Sequence, residues 1–396
     1  MIQEFTVKNF RSFKDKVTLS FEATKDTTFE SSHVVEVAPG VRLLRLALVF
    51  GANASGKSNL LAAFDYLRNF WFHQPADLYA PTESIPFLLD KVTPQEPTEF
   101  GLKFYTAGKK YWYVLVLDTH RVISEKLYFY KSAQPTLLFS RSFENGQSVI
   151  RFNPSVIKID ATVSREIALR CLPNMSFFAA KKMINYSLPH INDASDWMRQ
   201  RTHQIIDPGN TMFDSAGKMA LNNDALKKYL VDFMHRADFN ITDISAEKYA
   251  CDVRTYFEHT VKNSRGTEKY ILSNELQSLG TQRTFGIETA IYSAILNNEF
   301  LPIDEIESSL HPDLTEFILE QFFKSESRSQ LLVTTHYDPL LGSVDDLIRK
   351  DSVWFTEKGE DGCSDLYSLV EFKGLRKIKS FQKSYRNGAF GAVPNI

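Results

Sequence analysis

The chain has 396 residues, 43% hydrophobic and 24% charged, with a net charge of −2; this is a globular balance that supplies no overall pull toward nucleic acid or a membrane surface. Its cysteines, Cys171, Cys251 and Cys363, lie far apart with no C-x-x-C pair, which argues against a disulfide frame and for reduced thiols in a cytoplasmic setting, and its histidines show no zinc-ligand spacing. No apolar run reaches the length of a membrane span, which excludes a transporter carrying its own pore, and the opening Met1-Ile2-Gln3-Glu4-Phe5 predicts no cleavable leader.

The first predicted elements are two strands, Ile2 to Val7 and Val17 to Ala23, about a turn at Asn9-Phe10-Arg11-Ser12-Phe13. The apolar run Leu43 to Phe50 predicts a strand. It leads into Gly51-Ala52-Asn53-Ala54-Ser55-Gly56-Lys57-Ser58, a full G-x-x-x-x-G-K-[ST] pattern, and Asn59 to Phe70 predicts the helix that follows. In that order the loop and helix N–H groups, Gly51 through Asn59, would surround the phosphates of a nucleotide such as ATP. Lys57 would reach the β- and γ-phosphates and Ser58 would ligate Mg²⁺. An ordinary glycine turn is the alternative for this segment.

A second β-rich stretch runs from Glu99 to Tyr130, with a hairpin turn at Gly108-Lys109-Lys110, and Thr136 to Arg141 extends the same antiparallel sheet. Apolar spacing then turns helical over Ser164 to Ile206 and Asp224 to Arg236, broken by a loop at Pro208-Gly209-Asn210. No heptad is sustained, so a coiled coil is not expected. Strands return after Tyr256. A helix over Thr281 to Leu296, a strand over Phe300 to Ile303, a helix over Leu314 to Phe323 and a strand over Gln330 to Thr335 complete an α/β alternation. The expected organisation is one discontinuous ATPase domain, residues 1–160 with 256–396, interrupted by a mainly helical insertion over 161–255.

A phosphate loop needs a second Mg²⁺ anchor and a base for the attacking water. Asp304 and Glu305, at the end of the strand Phe300 to Ile303, supply both: Asp304 for the metal and Glu305 for the water. Pro302 conflicts with a central position for that strand, because proline removes a ladder N–H. His336 ends the strand Leu331 to Thr335, where it can contact a γ-phosphate; a capping or core histidine is the plainer reading. Ser278, Gly280 and Thr281 precede a helix and would form an anion site at its N-terminus. That site cannot serve the phosphate already held at Lys57, so it would serve the nucleotide of a second subunit. A simple capped helix is the alternative.

These residues, in this order, resemble the ABC-type ATPase superfamily. Gly51 to Ser58 is similar to Walker A, Ser278 to Thr281 to a divergent signature motif, Asp304-Glu305 to Walker B, Ser308 to Pro312 to the D-loop, and His336 to the switch histidine. Lys8-Asn9-Phe10-Arg11-Ser12-Phe13 resembles the start of SMC and RecF ATPases, which places Arg11 near the nucleotide. Three stretches, Asp304 to Pro312, Phe233 to Ile241 and Asn387 to Pro394, resemble the stand-alone bacterial ATPases typified by RloA, AbiLi and AriA of the PARIS system. The signature departs from that of transporter ATPases in lacking the second glycine and the glutamine, and Gln95 has no convincing Q-loop context.

The resemblance implies an α/β fold of the ABC P-loop type with an antiparallel β subdomain and a helical insertion. It implies ATP and Mg²⁺ as cofactors, with Glu305, His336 and Lys57 catalytic. It also implies an anti-phage defence role as a sensor or scaffold that self-associates through an ATP sandwich, works with a separately encoded nuclease or toxin, and is triggered by a phage protein. A RecF- or SMC-like DNA-repair clamp and a pure interaction scaffold are the rival readings; a transport-complex ATPase fits least. The tail Lys373 to Arg386, basic and free of acids with Phe381 and Tyr385 interleaved, suits either nucleic acid or a solvated helix face. Trp197 is expected to be buried.

Overall fold

In chain order, β1 (Ile2–Lys8) and β2 (Val17–Ser20) precede a single-turn helix α1 (Glu30–His33), the hairpin β3 (Val34–Ala38) and β4 (Val41–Leu44), β5 (Leu46–Phe50) and α2 (Lys57–Phe70). Then come β6 (Thr98–Thr106), β7 (Lys109–Leu117), β8 (Val122–Tyr130), β9 (Pro135–Glu144) and β10 (Gln147–Phe152). The middle holds α3 (Ala161–Arg170), α4 (Phe177–Lys182), α5 (Pro189–Gln200), α6 (Phe213–Leu221), α7 (Asp224–Arg236), β11 (Ile241–Tyr249), β12 (Asp252–Asn263) and β13 (Gly266–Ser273). Last are α8 (Leu279–Asn297), β14 (Phe300–Ile303), α9 (Pro312–Phe323), β15 (Gln330–Thr335), β16 (Val353–Lys358), β17 (Ser364–Ser368) and α10 (Phe381–Arg386). This is a computed structural model that describes residues 1–209, 212–237, 239–249, 252–264 and 266–393; Asn210, Asp238, Cys251 and Pro394 lie outside the described residues.

The two β-rich stretches of the first part are one layer. β1 pairs antiparallel with β6, giving a seven-stranded sheet of order β10-β9-β8-β7-β6-β1-β2. Along β7 the residues Tyr111, Tyr113, Leu115 and Leu117 are buried while their neighbours are not, the period-2 signature of a sheet with one covered face. A five-stranded sheet of order β14-β15-β5-β16-β17 stands beside it, parallel from β14 through β16. This second sheet divides two cores. Ala47 and Val49 of β5 face one apolar cluster, shared with β1, α2, α4 and α5; Leu46, Leu48 and Phe50 face the other, shared with α6, α7, α8 and α9. Both faces of β5, β14 and β15 are covered, so these strands are buried throughout and show no alternation. Gln330 ties the layers: its amide donates to the carbonyls of Ile2 and Leu44, and its Oε1 accepts the Ile2 N–H.

The structure corrects the expected elements in four places. Leu43 to Phe50 is not one strand. Leu43 and Leu44 pair with β3, and the chain changes partner at Arg45, whose buried guanidinium donates to the carbonyls of Ser32 and Ser325 and to the Ser327 hydroxyl. α2 starts at Lys57, two residues before the expected Asn59. The middle section turns to strand at Ile241, well before 255; a register shift between Ile241 and Asp243 hides the alternation. Its helices also divide between the cores, α4 and α5 with the first and α6 and α7 with the second. Finally, β14 is an edge strand and Pro302 costs it nothing. Phe300, Pro302 and Asp304 turn their backbone groups to residues 201–206, as the bonds His203 N–H to Phe300 O and Ile206 N–H to Pro302 O show, while Leu301 and Ile303 serve β15. The missing N–H of Pro302 thus faces away from the ladder.

Candidate functional site

The phosphate-loop pattern folds as a strand-to-helix turn whose glycines are needed. Gly56 has φ +117°, which an L side chain rarely adopts, and a Cβ on Gly51 would lie 2.5 Å from the Thr356 carbonyl of β16. The Ser55 and Thr356 hydroxyls bond at 2.7 Å, holding the loop to the neighbouring strand. Lys57 is buried, and its ammonium donates to the carbonyls of Gly51 and Ala52 at 2.9 and 3.0 Å. Burial lowers its pKa, while Glu305, Asp304 and Glu307 act to hold it up. The carboxylates thus offset part of the cost of burying the ammonium.

The cluster comes from the turn after β14. Thr334 of β15 donates its hydroxyl to Asp304 Oδ1 and accepts the Glu305 N–H. Glu305 sits at φ +46°, an uncommon setting for a long side chain. Arg283, buried on α8, fastens the turn by donating Nη2 to the Asp304 and Glu305 carbonyls, each at 2.9 Å, and Nη1 to the Asp207 carbonyl. His336 follows β15 directly; Glu307 Oε1 accepts its backbone N–H at 2.7 Å and lies 2.9 Å from its Nδ1.

Of the residues singled out in sequence, Asn53, Ala54, Ser55, Gly56, Lys57, Ser58, Asn59, Glu305 and His336 line one cleft together with Ser12 and Lys358. Gly51 and Ala52 line the adjoining cleft, with His336 and Lys358 again. Asp304 stands behind Glu305 and bears on Lys57 electrostatically. Arg11 is placed against the start of α2, its Nη1 3.5 Å from Asn59 Oδ1, but it is Ser12 that lines the cleft. Ser278, Gly280 and Thr281 are not brought to Lys57. Ser278 caps α8, accepting the Thr281 N–H at 3.1 Å, so the plain capped helix is what its own geometry shows. Ser278 and Gly280 line a separate cleft with Arg236, Phe239, Ser309, His311 and Asp313. A Cβ on Gly280 would lie 2.6 Å from the Ser309 carbonyl, so only glycine lets this turn pack on α8.

Sequence reasoning missed Glu307, Arg283, Thr356 and Lys358. Two sit on elements that were themselves foreseen, Glu307 two residues past Glu305 and Arg283 two past Thr281, whereas Thr356 and Lys358 lie on β16, a strand that the sequence pattern did not predict. In the basic tail the interleaved aromatics are not free. Phe381 and Tyr385 are buried and Arg386 pairs with Asp338, so these aromatics cannot stack on bases. Trp197 is buried against Phe104, ring centroids 4.1 Å apart. Among the described residues no group of three or more His, Cys, Asp or Glu is disposed to hold a metal ion, and no helix is long and apolar enough to cross a membrane.

Residues 46–341 match the family described as "AAA domain, putative AbiEii toxin, Type IV TA system". The SMC head domain from Thermotoga maritima is similar over 93% of this chain and 98% of its own, at 14% identity and a TM-score of 0.43. The structure titled "SmcHead bound to the C-winged helix domain of ScpA" is similar over 95% of this chain and 99% of its own, at 13% identity and a TM-score of 0.46. No curated protein matches.

Proposed function

The chain belongs to this AAA-domain family, and on that premise we propose that it binds and hydrolyses ATP as the sensor and scaffold subunit of an anti-phage defence pair whose toxin or nuclease is a separate chain. One observation carries the ATPase part. The carboxyl ends of β5, β14, β15 and β16 deliver the phosphate loop, Glu305, His336 and Lys358 to one cleft, which is where open parallel sheets bind ligands.

In this reading the phosphates of ATP rest on the loop and on the N-terminus of α2, and Lys57 exchanges the Gly51 and Ala52 carbonyls for phosphate oxygens. Ser58 and Asp304, a hydroxyl and a carboxylate, suit Mg²⁺, which takes few protein oxygens beside phosphate and water; the ion would neutralise charge on the phosphates. Glu305 accepts a proton from water as the water oxygen bonds to the γ-phosphorus and the bridging oxygen leaves with ADP. Ser278, Gly280 and Thr281 contribute only across a second copy, because Ser278 and Gly280 line another cleft of their own chain and Thr281 is buried beside them. ATP would then hold the copies together and hydrolysis would release them.

The defence role is supported by the family's description as part of a type IV toxin–antitoxin system, and the narrower likeness to RloA, AbiLi and AriA belongs to the same proposal. In the test, Glu305→Gln keeps MgATP, accumulates an ATP-dependent assembly in sedimentation, and loses about 10²- to 10⁴-fold in kcat, the usual worth of a positioned base. Lys57→Ala loses ATP binding. Turnover at the wild-type rate in Glu305→Gln would falsify the assignment. Phage challenge of cells carrying the chain with and without its neighbouring gene separates the defence role from a DNA-repair clamp, which would instead show ATP-dependent, salt-sensitive DNA binding.

A further inference from the structure

We infer that Glu307 is a positioning residue for His336 in ATP hydrolysis; this rests on the ATPase reading above. Glu307 lies past the catalytic turn, and its side chain is only 9% exposed. Oε1 takes both contacts from His336, the backbone N–H at 2.7 Å and Nδ1 at 2.9 Å. Oε2 is buried with no hydrogen-bond partner among the described residues. A carboxylate this enclosed loses its hydration, and among the described residues His336 supplies both of the contacts that replace it.

The histidine has the opposite setting. Its side chain is 51% exposed, at a cleft it shares with Lys57 and Glu305. A half-exposed imidazole without an anchor samples several rotamers, and ordering it at the moment of reaction would cost rate. One carboxylate oxygen removes that freedom twice, fixing where the main chain leaves β15 and how the ring is turned. With Nδ1–H directed to Glu307, Nε2 is the ring nitrogen left for the cleft, and in the doubly protonated ring it would donate to a phosphate oxygen.

Glu307 is itself held. Ile306 before it is fully buried and donates its N–H to the Thr334 carbonyl, and the Glu307 carbonyl accepts the Leu310 N–H. The ends of β14 and β15 are thereby cross-tied, by Thr334 to Asp304 and Glu305 in one direction and by Glu307 to His336 in the other. The base and the histidine are set by one frame.

The experiment compares steady-state ATP turnover and ATP affinity, read with a fluorescent ATP analogue, for the full chain and for Glu307→Ala, Glu307→Gln, His336→Ala and the Glu307→Ala/His336→Ala double variant. Glu307→Ala should lower kcat roughly 10- to 100-fold, as loss of an orienting outer hydrogen bond does, with KM and analogue affinity nearly unchanged. Glu307→Gln, whose amide oxygen can accept both bonds, should recover most of the rate. In the His336→Ala background, Glu307→Ala should cost nothing further. Additive losses, a loss in affinity in place of kcat, or a Glu307→Gln defect as deep as that of Glu305→Gln would overturn the assignment. If Lys57→Ala and Glu305→Gln leave turnover untouched, the ATPase reading falls and the inference with it. If they abolish turnover while Glu307 and His336 act additively, only the role of Glu307 falls.

Discussion

Replacing Glu288 by glutamine should flatten the dependence of stability on pH. Glu288 lies on α8, fully buried, with Tyr229 of α7 donating its hydroxyl to Oε2 at 2.6 Å and, among the described residues, no hydrogen-bond partner at Oε1. Burial pushes its carboxyl from 4.5 up to about 8, against the opposing pull of the Tyr229 bond and Arg236. The sign follows directly. Between these values the folded chain keeps a proton that the unfolded chain has released, so stability is greatest below pH 4.5 and falls as pH rises toward 8. A tenfold change in proton affinity is worth about 1.36 kcal/mol, so the span from 4.5 to about 8 sets a ceiling of about 5 kcal/mol, a large share of the ~5–15 kcal/mol typical of a domain. Glutamine keeps the shape and an acceptor for Tyr229 but never ionises. Urea denaturation of both forms at a series of pH values should show curves that nearly coincide near pH 4.5 and separate steadily toward pH 8, the variant being the more stable. Curves offset by a constant amount across that range would show that Glu288 does not titrate as its burial requires.

Two further substitutions probe the packing around the second cleft and the first core. Gly280→Ala places a Cβ 2.6 Å from the Ser309 carbonyl; overpacking against fixed backbone costs about 1–3 kcal/mol, and ATP-dependent self-association should fail in sedimentation while binding of ATP to single copies persists, so unaltered association would contradict the placement of Ser278 at the contact. Arg141→Ala strands Glu125, which is fully buried and paired to Arg141 at 3.2 Å; urea denaturation should register a loss of about 3–5 kcal/mol, whereas a paired apolar replacement of both residues should be close to neutral, and a small loss in the single variant would mean that the hydrogen bonds of Glu125 to Tyr113 and Phe177 suffice.

What was legible in sequence was local. The phosphate loop could be read because phosphate binding dictates glycines, lysine and hydroxyl at fixed spacing within eight consecutive residues, Gly51 to Ser58. β14 and β15 could be read because strands covered on both faces are short apolar runs, and α9 was legible from Leu314 on, though it starts two residues earlier at Pro312, where proline is tolerated. The rest depends on partners distant in the chain. The pairing of β1 with β6 joins residues nearly a hundred positions apart, and no local pattern announces it. Pro302 contradicts only a central β14, and the position of β14 at the edge is a property of sheet order. The helices of the middle section look alike in spacing, yet they serve different cores, because amphipathic pattern records that a face is buried and not what it is buried against. Glu307 lies within the stretch Asp304 to Pro312, but its bond to His336 spans 29 residues.

The same distance-blindness hid the connection between the two clefts. Arg283 stands in the early turns of α8, the helix that Ser278 caps, and its guanidinium carries the carbonyls of Asp304, Glu305 and Asp207. Each such bond to a charged donor contributes roughly 1.5–3 kcal/mol, and the guanidinium that makes them is buried. From the other side, the Ser309 carbonyl packs on Gly280 so closely that no side chain fits between them. The carboxylate turn and the start of α8 are therefore one mechanical piece. Any shift of that turn on engaging a nucleotide at Lys57 must either break the Arg283 bonds or move the face that bears Ser278. A chain built this way can report the contents of its own phosphate loop at the surface where, in the proposed assembly, it meets a second copy.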